Sequence, residues 1–370
     1  MEVPFNIPHI TGQESKYLAD VIETKKLSGN GKYTKQCQDW FKERFGIKHC
    51  LLTTSCTDAL EMSSILADIK PGDEVIIPTY TFVSAANAFV LRGAKIVFTD
   101  SQKDHPNIDH TQIESLITAR TKAIVVVHYA GVACDMDAIM DIANKHGLIV
   151  IEDAAQSIGV KYKDRFLGTI GHFGTYSFHA TKNIQCGEGG LLIVNDDKYV
   201  ERSEIIWEKG TNRAAFFRGE VDKYTWVDVG SSFLPSELNA AFLWAQLENY
   251  DQIQHSRLAA WKYYEDHLAG AENIALPNIP DFSTNNAHIF YILCNDEEHR
   301  NDLSAYLKER SIQAYFHFGC LDTSKVNQNI DAESNFPNAQ KFEQKLLRLP
   351  LFNDISKEQL IEVIMEVKSF

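Results

Sequence analysis

The chain has 370 residues, 44% hydrophobic and 23% charged, with a formal net charge of −14; this suits a large α/β unit plus a smaller one and excludes long disorder. The acidic balance excludes nucleic acid as a partner over most of the surface, and any anionic substrate would need a locally basic pocket. The seven cysteines occur singly, without a CxxC pair, which excludes a zinc ribbon or disulfide framework and points to reduced thiols in a cytoplasmic protein.

In chain order, the opening MEVPFNIPHITGQE lacks the basic and apolar regions of a signal peptide. Candidate strands then follow at His49–Leu52, Glu74–Ile77, Lys95–Phe98, Ala123–His128 and Ile149–Glu152. Between them, Thr57–Ala67, Ser84–Arg92, Ile113–Ile117 and Met136–Lys145 carry apolar residues at helical spacing. Apolar strands alternating with helices predict βαβ units and a mostly parallel sheet covered on both faces. Past Gly190 the pattern changes: Ser236 to Leu268 reads as one long helical stretch, and ALPNIPDFS breaks the chain. A strand at His288–Leu293, a helix at Asn301–Lys308, a strand near Gln313–Phe316 and a last helix from Lys357 complete a small α+β unit. The expected division is a large domain over 1–245 and a connecting helix with the small domain over 246–370. No stretch is apolar for long enough to span a bilayer, so no membrane partner is expected.

Four local features lie where an open α/β sheet places its ligand. TTSCTDAL, Thr53–Leu60, joins a strand to a helix whose N-terminal amides suit a phosphate, although an ordinary Ser/Thr cap has the same look. EDAAQ, Glu152–Gln156, sets a carboxylate at a strand end, where it could pair with a protonated ring nitrogen or simply cap a turn. SFHATKN, Ser177–Asn183, runs into the glycine-rich CGEGG turn. Most lysines are solvated, but this setting confines Lys182, and desolvation would lower its pKa and favour Schiff-base chemistry. In TYTFVSAAN, Thr79–Asn87, either Tyr80 or Phe82 could stack on a planar ring, though a core aromatic is the commoner fate. Together a phosphate cradle, a stacking aromatic, a strand-end Asp and a confined Lys predict a pyridoxal 5'-phosphate (PLP) pocket.

With these motifs, and with PGDEVIIPTYTFVSAANAF, VHYAG, VIEDAAQSIG, GEGG and NAHIFYI, the chain resembles the DegT-type sugar aminotransferases, a group of fold type I PLP enzymes. The block Glu208–Ser232 resembles transaminases that make dTDP-4-amino-4,6-dideoxyhexoses for surface glycans. The resemblance implies that Lys182 holds the cofactor covalently and shuttles the proton. It implies Asp153 on the ring nitrogen, Gln156 on the ring hydroxyl and Phe82 stacked on the ring, with Cys56, Thr57 and Ser177 on the phosphate. Ser232 stands where many relatives carry an Asn that reaches the neighbouring subunit's cofactor phosphate, which implies a homodimer with shared sites. Tyr80, His179, Lys209, Arg213 and His317 are the candidate sugar contacts, with Trp226 beside them. A Leu-His pair common in such proteins is Leu321-Asp322 here. The implied reaction moves an amine from L-glutamate to the C4 ketone of dTDP-4-dehydro-6-deoxy-D-glucose. A C3 transaminase and a non-catalytic regulator on the same fold are the alternatives, and retention of Lys182 argues against the regulator.

Overall fold

The computed structural model describes residues 2–327 and 335–370. Its strands are β1 (His49–Thr53), β2 (Glu74–Pro78), β3 (Lys95–Thr99), β4 (Thr121–Val127), β5 (Ile149–Asp153), β6 (Lys161–Tyr162), β7 (Arg165–Phe166), β8 (Phe173–Ser177), β9 (Gly190–Val194), β10 (Ile274–Ala275), β11 (Phe290–Cys294) and β12 (Leu346–Leu349). Seven of them form one sheet in the order β1-β9-β8-β5-β4-β2-β3. The pairs from β8 to β3 are parallel, whereas β9 runs antiparallel to both β1 and β8.

The runs that form these strands, such as EVIIP and GLLIV, are buried on both faces, as a sheet between helical layers requires. Alternation divides them. Ile76, Ile124, Val126 and Val150 enter one core cluster, and Val75, Ile77, Val125 and Ile151 enter the cluster on the opposite face. The strands β1, β2, β4, β5 and β8 all point their C-terminal ends the same way, so Thr53, Pro78, Val127, Asp153 and Ser177 share one edge of the sheet.

The second sheet, β10-β11-β12, is antiparallel. One face, with Phe290, Ile292, Leu347 and Leu349, packs in its own cluster with Trp261, Leu303 and Val363. The other face contributes Ile289, Tyr291 and Leu346 to the cluster over the large sheet, which brings this small sheet against that edge.

Three expectations need correction. The stretch Ser236–Leu268 is two helices, Glu237–Glu248 and Tyr250–Leu268, separated at Asn249, where the backbone leaves helical geometry. Gln313–Phe316 forms only isolated bridges, Val3 with Ile312 and Tyr315 with Arg348, and not a strand. The helices Glu14–Thr24 and Lys32–Phe45 were not expected; their buried stripes, including Tyr33, Cys37 and Phe41, cover the large sheet.

Candidate active site

The shared strand edge collects the chemistry. Behind β1, Ser55 caps the helix Cys56–Leu66 by accepting from the Asp58 N–H. The amides of Cys56 and Thr57 precede that cap bond and carry the positive end of the helix. Gly190, opposite, has no side chain: a Cβ there would lie 2.4 Å from Cys56 N. Ser177, paired with Gly190 across β8 and β9, and Thr57, whose hydroxyl meets Ser84 Oγ at 2.8 Å, complete a ring of hydroxyls and amides suited to an anion.

Asp153 ends β5 and is 6% exposed. One oxygen accepts from the Ala155 N–H at 3.1 Å. Burial raises its pKa, while Ala155, Lys182 and His128 oppose the rise. A buried carboxylate with one backbone bond is short of a cationic partner. Gln156 is held by the Ala130 N–H donating to Oε1 at 2.7 Å, which turns its Nε2 donors the other way.

Lys182 sits in the turn between β8 and β9, its N–H donating to His179 O at 2.9 Å. Burial lowers its pKa and the Arg348 charge lowers it further, while Cys56 and Asp153 oppose. A lowered amine pKa favours the neutral nucleophile. The next residue fastens the turn. Asn183 Nδ2 donates to Gln254 Oε1 and to Asn286 O, so its Oδ1 accepts from His288 Nδ1 at 3.0 Å. Burial holds the His288 pKa well below its usual range, so the ring is neutral, with Nδ1 protonated.

Behind Asp153, Glu152 is fully buried and accepts from the N–H groups of Gly168, Ile170 and Gly171 and from His128 Nε2. His128 Nδ1 accepts from the Cys134 N–H, which fixes the tautomer. This network clamps the strand ends beneath Asp153.

Phe82 is 55% exposed and lies 6.1 Å, centroid to centroid, from Phe318, an open aromatic face at the edge. Tyr80 does not share it. At 1% exposure it packs among Tyr129, Phe318 and Phe342. His317 lies beside that face: its Nδ1 and Tyr129 Oη are hydrogen-bonded at 2.7 Å, burial and the Arg348 and Lys182 charges hold its pKa well below the usual range, and it stacks on Phe318. His179 instead closes the Lys182 turn, its Nδ1 meeting Thr181 Oγ1 at 2.9 Å.

Lys209, Arg213 and Ser232 lie on the exposed excursion 208–232, where Arg213 pairs with Glu208 at 3.1 Å and Ser232 bridges Glu208. Among the described residues no hydrogen bond or ion pair joins them to Lys182 or Asp153. Trp226, 80% exposed, and Phe217 stand out from the same excursion. Asp322, at the altered Leu-His position, is bound to Thr79 through its carboxylate and its N–H.

The side chains around this edge to which sequence reasoning gave no role are Asn183, Tyr129, His288 and Arg348. The motifs VHYAG and NAHIFYI contain two of them, but only the fold brings them together.

Among the described residues no cluster of His, Cys, Asp or Glu could hold a metal, and no helix is long and apolar enough to cross a membrane. A family model described as the DegT/DnrJ/EryC1/StrS aminotransferase family matches residues 8–368. The spore coat polysaccharide biosynthesis protein SpsC of Bacillus subtilis (strain 168) is 33% identical over 376 residues, covering 99% of this chain and 96% of SpsC. DesV of S. venezuelae superposes with a TM-score of 0.91 at 28% identity, covering all of this chain and 98% of DesV. At 24% identity, the PLP-form of Spr1654 from Streptococcus pneumoniae shares the fold with a TM-score of 0.92, covering 100% of this chain and 98% of that one.

Proposed function

The chain belongs to the DegT/DnrJ/EryC1/StrS aminotransferase family of PLP-dependent sugar aminotransferases, and on that premise we propose that it aminates dTDP-4-dehydro-6-deoxy-D-glucose at C4 with L-glutamate as donor. The observation that carries the reading is the meeting of a desolvated Lys182 and a buried, under-partnered Asp153 at one sheet edge, beside the amides of the helix Cys56–Leu66. The fit to PLP is good: an anion cradle, a carboxylate short of a cationic donor and a low-pKa amine match its phosphate, ring nitrogen and aldehyde.

PLP supplies an aldehyde that exchanges with amines and a protonated ring that stores the electrons released at the neighbouring carbon. The Cys56 and Thr57 amides, the Thr57 hydroxyl and Ser177 hold the phosphate. Asp153 keeps the ring nitrogen protonated, Gln156 donates to the ring hydroxyl and Phe82 covers one ring face. Lys182 would hold the cofactor through Nζ and, with Nζ free, would carry the proton from the donor's amine-bearing carbon to the cofactor in the first half-reaction and from the cofactor to the sugar carbon in the second. Glutamate leaves as 2-oxoglutarate with its keto oxygen drawn from water, and the sugar ketone oxygen departs as water, so the transfer balances. The face from which Nζ delivers the proton determines whether the 4-amine is axial or equatorial.

The exposed Trp226 and Phe217 support a second copy of the chain seated against the excursion 208–232. In that homodimer Ser232 serves the partner's phosphate, and Lys209 and Arg213 serve the nucleotide diphosphate. The name of SpsC, a spore coat polysaccharide biosynthesis protein, supports a role in polysaccharide biosynthesis. The test is incubation of the PLP-loaded protein with glutamate and the 4-keto sugar, with NMR of the product. A 4-amino-4,6-dideoxyhexose is expected; amination at C3, or none, overturns the reading.

A further inference from the structure

Arg348 occupies a position that strand alternation reserves for the core. In β12, Leu347 and Leu349 face the cluster behind the small sheet, while Leu346 faces the large sheet's cluster. Arg348 stands opposite Tyr291, a member of that second cluster, so its side chain emerges on the face turned toward the active-site edge.

Among the described residues the guanidinium has no counter-ion. Its Nε and Nη2 donate to Phe316 O at 3.3 and 2.9 Å, and its plane lies 4.7 Å from the Phe5 ring centroid. No carboxylate is among the charges acting on it. A partly buried cation held by one carbonyl and one aromatic face keeps its Nη1 donors available, and guanidinium geometry matches a planar oxyanion. The Phe316 contact also ties it to His317, the next residue, which Tyr129 orients. Its charge reaches both Lys182 and His317.

We propose that Arg348 is the carboxylate receptor for the amine donor. The inference rests on the transaminase reading and adds a donor subsite to it. A carboxylate is favoured over the diphosphate of a nucleotide sugar by position. In an amino acid the carboxylate is one bond from the reacting carbon, whereas a sugar's C1 diphosphate lies across the ring from C4. A receptor within charge range of Lys182, on the inner face of the small sheet, suits the shorter molecule. It also supplies the local positive charge that a chain of net charge −14 needs to draw in a dicarboxylate.

The experiment separates the half-reactions. PLP-loaded wild type, Arg348→Lys and Arg348→Gln are mixed with L-glutamate, and the fall of the PLP absorbance is followed against concentration. The aminated proteins are then given the 4-keto sugar, and the return of that absorbance is followed. Glutarate binding is measured by calorimetry as a readout free of turnover, and melting temperature confirms that the variants fold. Arg348→Gln should raise the half-saturating glutamate about 100-fold and abolish glutarate binding, Arg348→Lys should do so about 10-fold, and the sugar half-reaction should stay within about 3-fold. Unchanged glutamate saturation and glutarate binding in Arg348→Gln would overturn the proposal. So would loss confined to the sugar half-reaction, which would assign Arg348 to the diphosphate. Wild type that transfers no amine from glutamate would sink the transaminase reading instead, with glutarate binding still deciding whether Arg348 receives a carboxylate.

Discussion

Asn183 Oδ1 accepts a hydrogen bond from His288 Nδ1 at 3.0 Å, joining the residue after Lys182 to a residue two positions before the small sheet's central strand. Because Asn183 Nδ2 is already spent on Gln254 and Asn286, the turn that presents Lys182 is fixed by three partners, the Gln254 and His288 side chains and the Asn286 carbonyl. Asn183→Ala is expected to leave these partners unsatisfied, lowering stability by about 1–3 kcal/mol. Denaturant unfolding of the cofactor-free protein measures it, and an unchanged midpoint would show that the network is not strained by the loss.

Gly190→Ala should damage the phosphate cradle. The added carbon would lie 2.4 Å from Cys56 N, so the helix N-terminus must retreat from β9. PLP affinity is expected to fall at least about 10-fold. Equilibrium titration of the cofactor-free protein checks this; an unaltered Kd would place the phosphate elsewhere.

Asp153 gives a pH signature. Its folded pKa is raised by burial, so its stability contribution is present below the unfolded carboxyl pKa and is lost as pH rises through the folded one. A bound ring cation would relieve that loss. The stabilisation of wild type by PLP should therefore grow as pH rises across this range, and Asp153→Asn should flatten the rise. Melting temperatures with and without PLP from pH 4 to 8 read it out; parallel curves for the two proteins would contradict the pairing.

Phe82→Ala separates binding from folding. The ring is 55% exposed, so removal should change stability by about 0.5 kcal/mol or less while weakening PLP about 10-fold through lost stacking. Equal Kd values would return Phe82 to the surface.

Five of the seven strands of the large sheet were legible because runs such as EVIIP are too short and too continuously apolar for anything but a doubly covered sheet, whereas β8 and β9, on either side of the glycine turn, were not among the expected strands. The placement of Lys182 and Asp153 at one edge was legible because strand ends and a glycine turn bracket them. The contrast between buried Tyr80 and exposed Phe82 was not legible because an aromatic at a strand end carries no mark of which way it faces. Asn249 interrupts a helical pattern without Gly or Pro, so two helices read as one. Arg348 was invisible for a different reason. Within LRLPLF it reads as a solvated charge, and only pairing with Tyr291 turns it inward.

Borohydride reduction of the PLP-loaded protein followed by peptide mass mapping tests the central claim most directly. The account predicts a visible absorption band before reduction and a stable pyridoxyl adduct on Lys182, both absent in Lys182→Ala. An adduct on another lysine, or none, would contradict it.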